Sequence, residues 1–281
     1  MPRTASGAAP RAAYPAWLAY EPALVPPPAL MATEGIAVLE EWFRWGEEWS
    51  ILLRAYGRLG AADAVLEIGC GLGRVAFPLR HLLSSGGRYT GFDITAEKIE
   101  FVQRVFTPAH PNFRFHLADV YNSHYNPAGR VRPDAYRFPA ADGEVDLVYA
   151  ASVFTHMVPE HTAHYFREAA RVLRPGGRAM FSFFLLDHYR PGHRRPLGFA
   201  KAAFDFDHEY GGHGADFAIV VQENPEQMTA YRTPLIGRLA AGAGLRLAPP
   251  IAGLWSGTVA RPVAAQDLVV LTKPPAAAGG G

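Results

Sequence analysis

The chain has 281 residues, 49% of them apolar, with 27 Lys and Arg against 26 Asp and Glu and a formal net charge of +1. That is ample apolar material for one large core, and the balanced charge gives no reason to expect nucleic acid or another polyanion as partner. One cysteine, Cys70, excludes disulfides, cysteine-ligated zinc and iron–sulfur chemistry within a single chain.

Residues 1–34 are rich in Pro and Ala, and Pro26-Pro27-Pro28 interrupts any helix. They lack the apolar core of a signal peptide and are expected to form a flexible arm. No apolar run approaches the roughly 18 residues of a membrane span, so a cytoplasmic protein with no membrane partner is expected. Residues 35–60 predict a helical cap. Ile36, Leu39, Phe43, Leu53 and Tyr56 mark one stripe, and Trp42, Trp45 and Trp49 mark a second. The Trp stripe either packs on the domain or lids a ligand, with Trp45 and Trp49 as candidates for the second role. A hydrophobic cap also suits a dimer interface, so monomer and homodimer both remain open.

From 61 to 273, strand and helix alternate. Strands are predicted at 64–68, 88–92, 112–117, 144–150 and 178–184, with helices over 74–83, after Thr95 as cap, and over 159–173. Arg174-Pro175-Gly176-Gly177 stops the last of these helices. A short helix at 235–243 and a hairpin of 245–254 with 267–272 complete the sheet. Such alternation implies parallel strands joined by crossovers. Segments 121–141 and 186–231 break the pattern and read as substrate-facing lids, because long excursions from the carboxyl edge of a parallel sheet build ligand walls. Residues 274–281 read as a disordered tail.

The stretch Val65-Leu66-Glu67-Ile68-Gly69-Cys70-Gly71-Leu72-Gly73-Arg74 organises the rest. A buried strand runs into a glycine turn and a helix N-terminus, which supplies unpaired N–H groups and a partial positive charge. A dinucleotide fingerprint would put its third glycine at position 74, where Arg74 stands, and no Lys-Ser or Lys-Thr follows as a P-loop requires. Asp93 after the second strand can accept both hydroxyls of a ribose, or can simply favour a helix dipole. Asp119 after the third strand is either a second ligand contact or a plain loop acid.

Glu67-x-Gly69-x-Gly71-x-Gly73, the acids Asp93 and Asp119 and the Arg171-to-Gly177 run resemble, in order and spacing, the motifs of class I S-adenosylmethionine (SAM) dependent methyltransferases, over residues 64–184. The resemblance implies an α/β, Rossmann-like, seven-stranded and mostly parallel sheet, with an N-terminal helical cap and a lid insertion after strand five. It implies SAM as cofactor and S-adenosylhomocysteine as product. Glu67, Gly69, Gly71, Gly73 and Arg74 would pack against the amino-acid part, Asp93 and Ile94 against the ribose, and Asp119 and Val120 against the adenine. Ala151 and Phe154 follow strand four, at the point where ligands bind in such sheets.

His156 leaves strand four towards the reacting methyl group and titrates near neutrality, which makes it the candidate base. Equally, it can cap the helix that follows or touch the cofactor carboxylate. Asn122, Tyr125, Asn126, Arg130, Tyr136 and His188 are candidate contacts for a hydroxylated or acidic acceptor. His161 and His164 read as a surface or packing pair. His188, His193, His208 and His213, with the neighbouring acids, match no recognised metal-ligand spacing, so no metal is expected. The Asn/Asp-Pro-Pro-Tyr/Phe run of amino-methylating DNA enzymes is absent after strand four. A small-molecule acceptor methylated on oxygen is the favoured reading. The alternatives are N- or C-methylation, a SAM-binding scaffold, and a protein for NAD or a nucleotide sugar.

Overall fold

In the computed structural model, which describes residues 21–191 and 204–275, the segment expected as a loose arm is packed from residue 21 onward. Leu24 and the helix α1 (Pro28–Ala32) bury Leu24 and Met31 in the core, and Glu21 pairs with Arg80 at 2.5 Å and with His110 at 3.0 Å. The prolines start this helix instead of preventing it, because Pro28 stands at its first position, where no N–H is needed. Residues 1–20 and most of the tail, 276–281, lie outside the described residues. The cap follows as one helix, α2 (Leu39–Ala55).

The main sheet takes β1 (Ala64–Ile68), then α3 (Ala76–Leu82), β2 (Arg88–Asp93), α4 (Ala96–Ala109), β3 (Phe113–Leu117), β4 (Val145–Ala150), α5 (Pro159–Val172) and β5 (Leu173–Phe183). Thr95 holds the N-cap position of α4, but its side chain makes no cap bond; the carboxylate of Asp93 takes the Thr95 N–H instead. The Arg174–Gly177 run ends α5 as expected, yet it lies within β5. Opposite β4 it forms a bulge, since Val145 pairs with Leu173 while Leu147 pairs with Arg178.

The second lid segment folds into its own antiparallel sheet, β6 (His208–Glu209), β7 (Phe217–Ile219) and β8 (Thr229–Tyr231). Residues 192–203 within it, His193 included, are outside the described set. After α6 (Thr233–Gly242) the chain closes the main sheet with β9 (Arg246–Leu247) and β10 (Asp267–Thr272), the expected hairpin with a long excursion between its arms. The strand order is β3-β2-β1-β4-β5-β10-β9, with β1 to β5 parallel and β10 antiparallel to β5. The expected seven-stranded, mostly parallel sheet is therefore present.

Helices cover both faces. Trp42, Phe77 and Val102 bring α2, α3 and α4 onto one face, and Phe166 and Ile236 bring α5 and α6 onto the other. Phe184, Leu186, Phe206 and Trp255 form a third cluster, under the lid sheet.

Asp267 pins that lid region to the sheet. Fully buried at the start of β10, it accepts the N–H groups of Leu185 and Gly253 at 2.8 Å, His188 Nδ1 at 2.9 Å, and the indole N–H of Trp255. Truncation to Ala strands two buried backbone donors and an indole. We expect Asp267→Ala to lose about 3–5 kcal/mol of stability, read as a lower chemical-denaturation midpoint; a loss below 1 kcal/mol would show the network to be dispensable.

Candidate active site

β1 and β4 are neighbours where the strand order reverses, and a cavity of about 820 Å³ opens at their carboxyl ends. Its floor is the glycine turn. Gly69 and Gly71 have φ of +70° and +50°; a Cβ on the first would lie 2.5 Å from the Val153 side chain, and on the second 2.2 Å from a Glu34 carboxylate oxygen. Only glycine suits both positions. Two carboxylates brace the turn: Asp93 accepts the N–H groups of Gly71 and Thr95, both at 2.9 Å, and Glu34 accepts that of Leu72 at 2.9 Å while lying 3.5 Å from Lys98 Nζ.

Glu67 sits below the turn, buried between three strands, and Tyr89 from β2 and Tyr149 from β4 both donate to its Oε2. Burial pushes its carboxyl up to about 7 against the opposing pull of the tyrosines. Arg74 stacks on Trp45, with its guanidinium 5.0 Å from the ring centroid, and its buried Nε has no hydrogen-bond partner among the described residues. From α2, Trp49 stacks on Tyr149, and the Glu48 carboxylate, raised by burial, accepts the Ala265 N–H at 3.2 Å.

The far wall comes from the lids. The chain leaves β4 through Ser152, a non-glycine residue at φ +61° whose N–H is held by Ser182 Oγ at 2.8 Å. That strained backbone is affordable only where its surroundings fix it. It turns the following 3-10 turn (Phe154–His156) to face the cavity. His156 Nδ1 donates to the carbonyls of Gln227 at 2.8 Å and Glu226 at 3.2 Å, and the Tyr125 hydroxyl donates to Nε2 at 3.3 Å. Because carbonyls only accept, the imidazole carries its proton on Nδ1 and presents Nε2 as a lone pair. Burial lowers its pKa to about 4, so it is neutral at physiological pH.

The sequence-predicted residues Glu67, Gly69, Gly71, Arg74, Asp93, Ile94, Val120, Ala151, Trp45, Trp49, Asn122, Tyr125 and His156 all line this one cavity. Seven others do not. Gly73 packs on Phe106 and Val102 of α4, and Phe154 is a core side chain stacked on Phe183. Asp119 turns outward into an ion pair with Arg130 at 2.5 Å, which removes both from the cavity. Asn126 spends its amide on the Val120 carbonyl, Tyr136 packs on Phe92 and Phe138, and His188 is bound to Asp267. His161 lies 3.3 Å from Glu226, and His164 Nε2 donates to the Tyr136 carbonyl at 2.7 Å; both are packing contacts, as expected. No group of three or more His, Cys, Asp or Glu forms a cation site among the described residues.

Sequence reasoning missed Glu34, Lys98, Glu48, Ser152, Glu226, Met228 and Gln266, which also line the cavity. Only Glu48 carried a signal, one helical step from Trp45 and Trp49. Ser152 follows Ala151 directly, and the rest reach the cavity through long-range packing.

The pH behaviour of His156 separates it from an ordinary histidine. With a folded-state value near 4 against the ordinary 6.5, its contribution to stability is lost as pH falls from 6.5 towards 4. Glu67, raised from 4.5 to about 7, works in the opposite sense, costing stability as pH rises through that window. The two oppose one another in a global melting curve, so a residue-specific readout is required. We expect the His156 resonance in an NMR titration to show a midpoint near 4; a midpoint near 6.5 would refute the buried, carbonyl-held imidazole.

Residues 65–177 match the family model described as a methyltransferase domain. The 27-O-demethylrifamycin SV methyltransferase of Amycolatopsis mediterranei is 36% identical over 131 residues, 46% of this chain and 41% of that protein. The arsenite methyltransferase of Aquipseudomonas alcaligenes is 30% identical over 176 residues, 59% and 47% of the two chains. The chain thus spans less than half the length of these curated relatives. Among solved structures, the Burkholderia thailandensis 1,6-didemethyltoxoflavin-N1-methyltransferase superposes with a TM-score of 0.52 at 16% identity, covering 95% of this chain and 93% of that one, a likeness of fold. Residues 65–177 thus carry the likeness to a methyltransferase domain, and the seven-stranded sheet around them has the class I methyltransferase fold.

Proposed function

We propose that this protein is an enzyme that binds SAM in the cavity and transfers its methyl group to a small-molecule acceptor, on oxygen, by in-line displacement without a metal. The observation that carries the reading is that one cavity joins the braced glycine turn and Asp93 to a neutral imidazole whose unprotonated Nε2 faces the Tyr125 hydroxyl. The name of the rifamycin-type relative supports oxygen as the methylated atom.

The residues fit the cofactor. The buried Arg74 Nε lacks an acceptor that an amino-acid carboxylate would supply, and the positive-φ glycines clear the floor for close approach. Glu67, Gly69, Gly71 and Arg74 would hold the amino-acid end, Asp93 and Ile94 the ribose, and Val120 and Ala151 the base and the strand-four side. Val120 takes this role without Asp119, whose carboxylate is engaged outside. When bound, SAM supplies an electrophilic methyl group on a sulfonium.

The chain's own residues do the rest. Trp45 and Trp49 cap the cavity, exclude water and offer ring faces to a cation. Tyr125 and Asn122 orient the acceptor. His156 Nε2 takes the proton of the acceptor hydroxyl, and Nδ1 keeps its hydrogen bonds to the two carbonyls as charge develops. A base with so low a pKa works at the bottom of the usual range of about 10²–10⁴-fold. Alignment, able to supply about 7–11 kcal/mol in favourable cases, therefore carries most of the acceleration.

Calorimetry with SAM, S-adenosylhomocysteine and NAD tests the cofactor: the two sulfur nucleosides should bind and NAD should not, and the reverse selectivity would overturn the reading. Asp93→Ala should weaken SAM by more than about tenfold, since both ribose hydroxyls lose their acceptor; unchanged affinity would remove Asp93 from the site. With an acceptor found by screening hydroxylated metabolites against methyl-labelled SAM, His156→Ala should keep SAM affinity and lose about 10²-fold in turnover. Full turnover would exclude it as base.

A further inference from the structure

Glu226 lies in the 3-10 turn (Pro225–Gln227) of the second lid segment, and sequence analysis gave it no role. It is 5% exposed and remains ionised, its carboxyl held below the ordinary value, against its burial, by His161 beside it and by the Ser123 hydrogen bond. Its Oε2 accepts the Ser123 N–H at 2.7 Å, its Oε1 faces His161 Nδ1 of α5 at 3.3 Å, and its own carbonyl takes part of the His156 Nδ1–H. A buried carboxylate is costly unless every oxygen is engaged. Here the engagement is with both lid segments and a helix of the main fold at once.

The position of Ser123 gives this geometry its meaning. Asn122 Oδ1 accepts the N–H groups of His124 and Tyr125 at 3.0 and 2.8 Å, forming a turn that aims the Tyr125 ring at His156, 5.1 Å away between centroids. Ser123 is inside that turn, and its hydroxyl donates to Asn224 Oδ1 at 2.8 Å, beside the Glu226 turn. One carboxylate therefore fastens the loop that carries Tyr125 to the turn whose carbonyls hold His156.

We infer that Glu226 is a positioning residue for the proton-accepting pair: by clamping Ser123 to the 225–227 turn it fixes His156 as its Nδ1–H tautomer and sets the Tyr125 hydroxyl on Nε2. The inference rests on reading His156 as the base. Without the clamp, the Nδ1 proton has no fixed acceptor, and the imidazole is free to place hydrogen on the nitrogen that must receive the acceptor's proton. Glu226 touches no reacting atom in this scheme; it acts through the two residues that do.

Other bonds hold the lid down independently. Thr229 Oγ1 donates to the Phe154 carbonyl at 3.0 Å, and the Tyr231 hydroxyl donates to the Met157 carbonyl at 2.5 Å. These anchor β8 without reaching the imidazole, so loss of the Glu226 carboxylate should free His156 while leaving the lid docked.

The test uses the full chain labelled with ¹⁵N-histidine, read at pH 7 by long-range proton–nitrogen correlation, with His156 assigned by the signal lost in His156→Asn. This readout needs no acceptor. The wild type should show one fixed tautomer protonated at Nδ1. Glu226→Leu, which keeps the volume and removes the acceptor, should show both nitrogens at averaged positions with an otherwise native spectrum; Glu226→Ala serves in its place if Leu is not tolerated. Glu226→Gln, whose amide oxygen still takes the Ser123 N–H, should keep the fixed tautomer. An Nε2–H or averaged imidazole in the wild type, an averaged one in Glu226→Gln, or a fixed one in Glu226→Leu overturns the inference. A merely structural role would leave the tautomer unmoved. SAM calorimetry on the same samples keeps the two readings apart: the tautomer pattern without SAM binding defeats the proposed function and leaves standing only the hold of Glu226 on the imidazole.

Discussion

A buried carboxyl with two tyrosine partners lies under everything this site does. Glu67 projects from the central strand β1, and the hydroxyls of Tyr89 and Tyr149 reach it from the strands on either side. Backbone pairing alone is indifferent to which residues sit opposite one another, whereas a shared side-chain acceptor is not. Hydrogen bonds to a charged or chargeable partner are stronger than neutral ones, and leaving any of the three unpaired in this interior would be costly. The alignment of β1, β2 and β4 is therefore set directly beneath the point where their ends must form a cavity. Tyr149 extends the effect to the cap by stacking on Trp49.

What could be read from the sequence divides along a physical line. The glycine turn, Asp93, Ala151 and His156 are local signals: each follows a strand whose apolar run is visible, and the sheet topology brings the strand ends together. Asp119 does not line the cavity, for a reason invisible in one dimension: Arg130 lies eleven residues on, and only folding shows that the two pair. Phe154 likewise lies off the cavity, its position after β4 as expected and its side chain turned into the core. The 3-10 turn there points His156 to the cavity and Phe154 into the aromatic stack with Phe181 and Phe183.

The segments 121–141 and 186–231 could be read from the sequence as breaks in the strand–helix alternation, but not as structure. Tyr121 to Ala141 has hydrogen bonds in place of regular strands, and 186–231 contains a three-stranded sheet whose strands are two or three residues long. Strands that short carry too little alternation to be seen. Their stability comes from Asp267 and the aromatic cluster around Trp255, contacts between residues that composition cannot connect. Glu226 belongs to the same class, an acid in an unremarkable turn that becomes informative once Ser123 and His161 are seen beside it.

The reversed direction of β10 has a consequence for how the molecule can be handled. Asp267 pairs with Phe183 at the end of β5, and Thr272 pairs with Arg178 near its beginning. The chain therefore enters β10 from the cavity rim, through Ala264 to Gln266, and leaves on the opposite side of the sheet. Lys273 departs there, its Nζ anchored on the Leu173 carbonyl at 2.6 Å. A fluorophore, affinity tag or surface tether joined beyond β10 would project from the face that the ligand never visits.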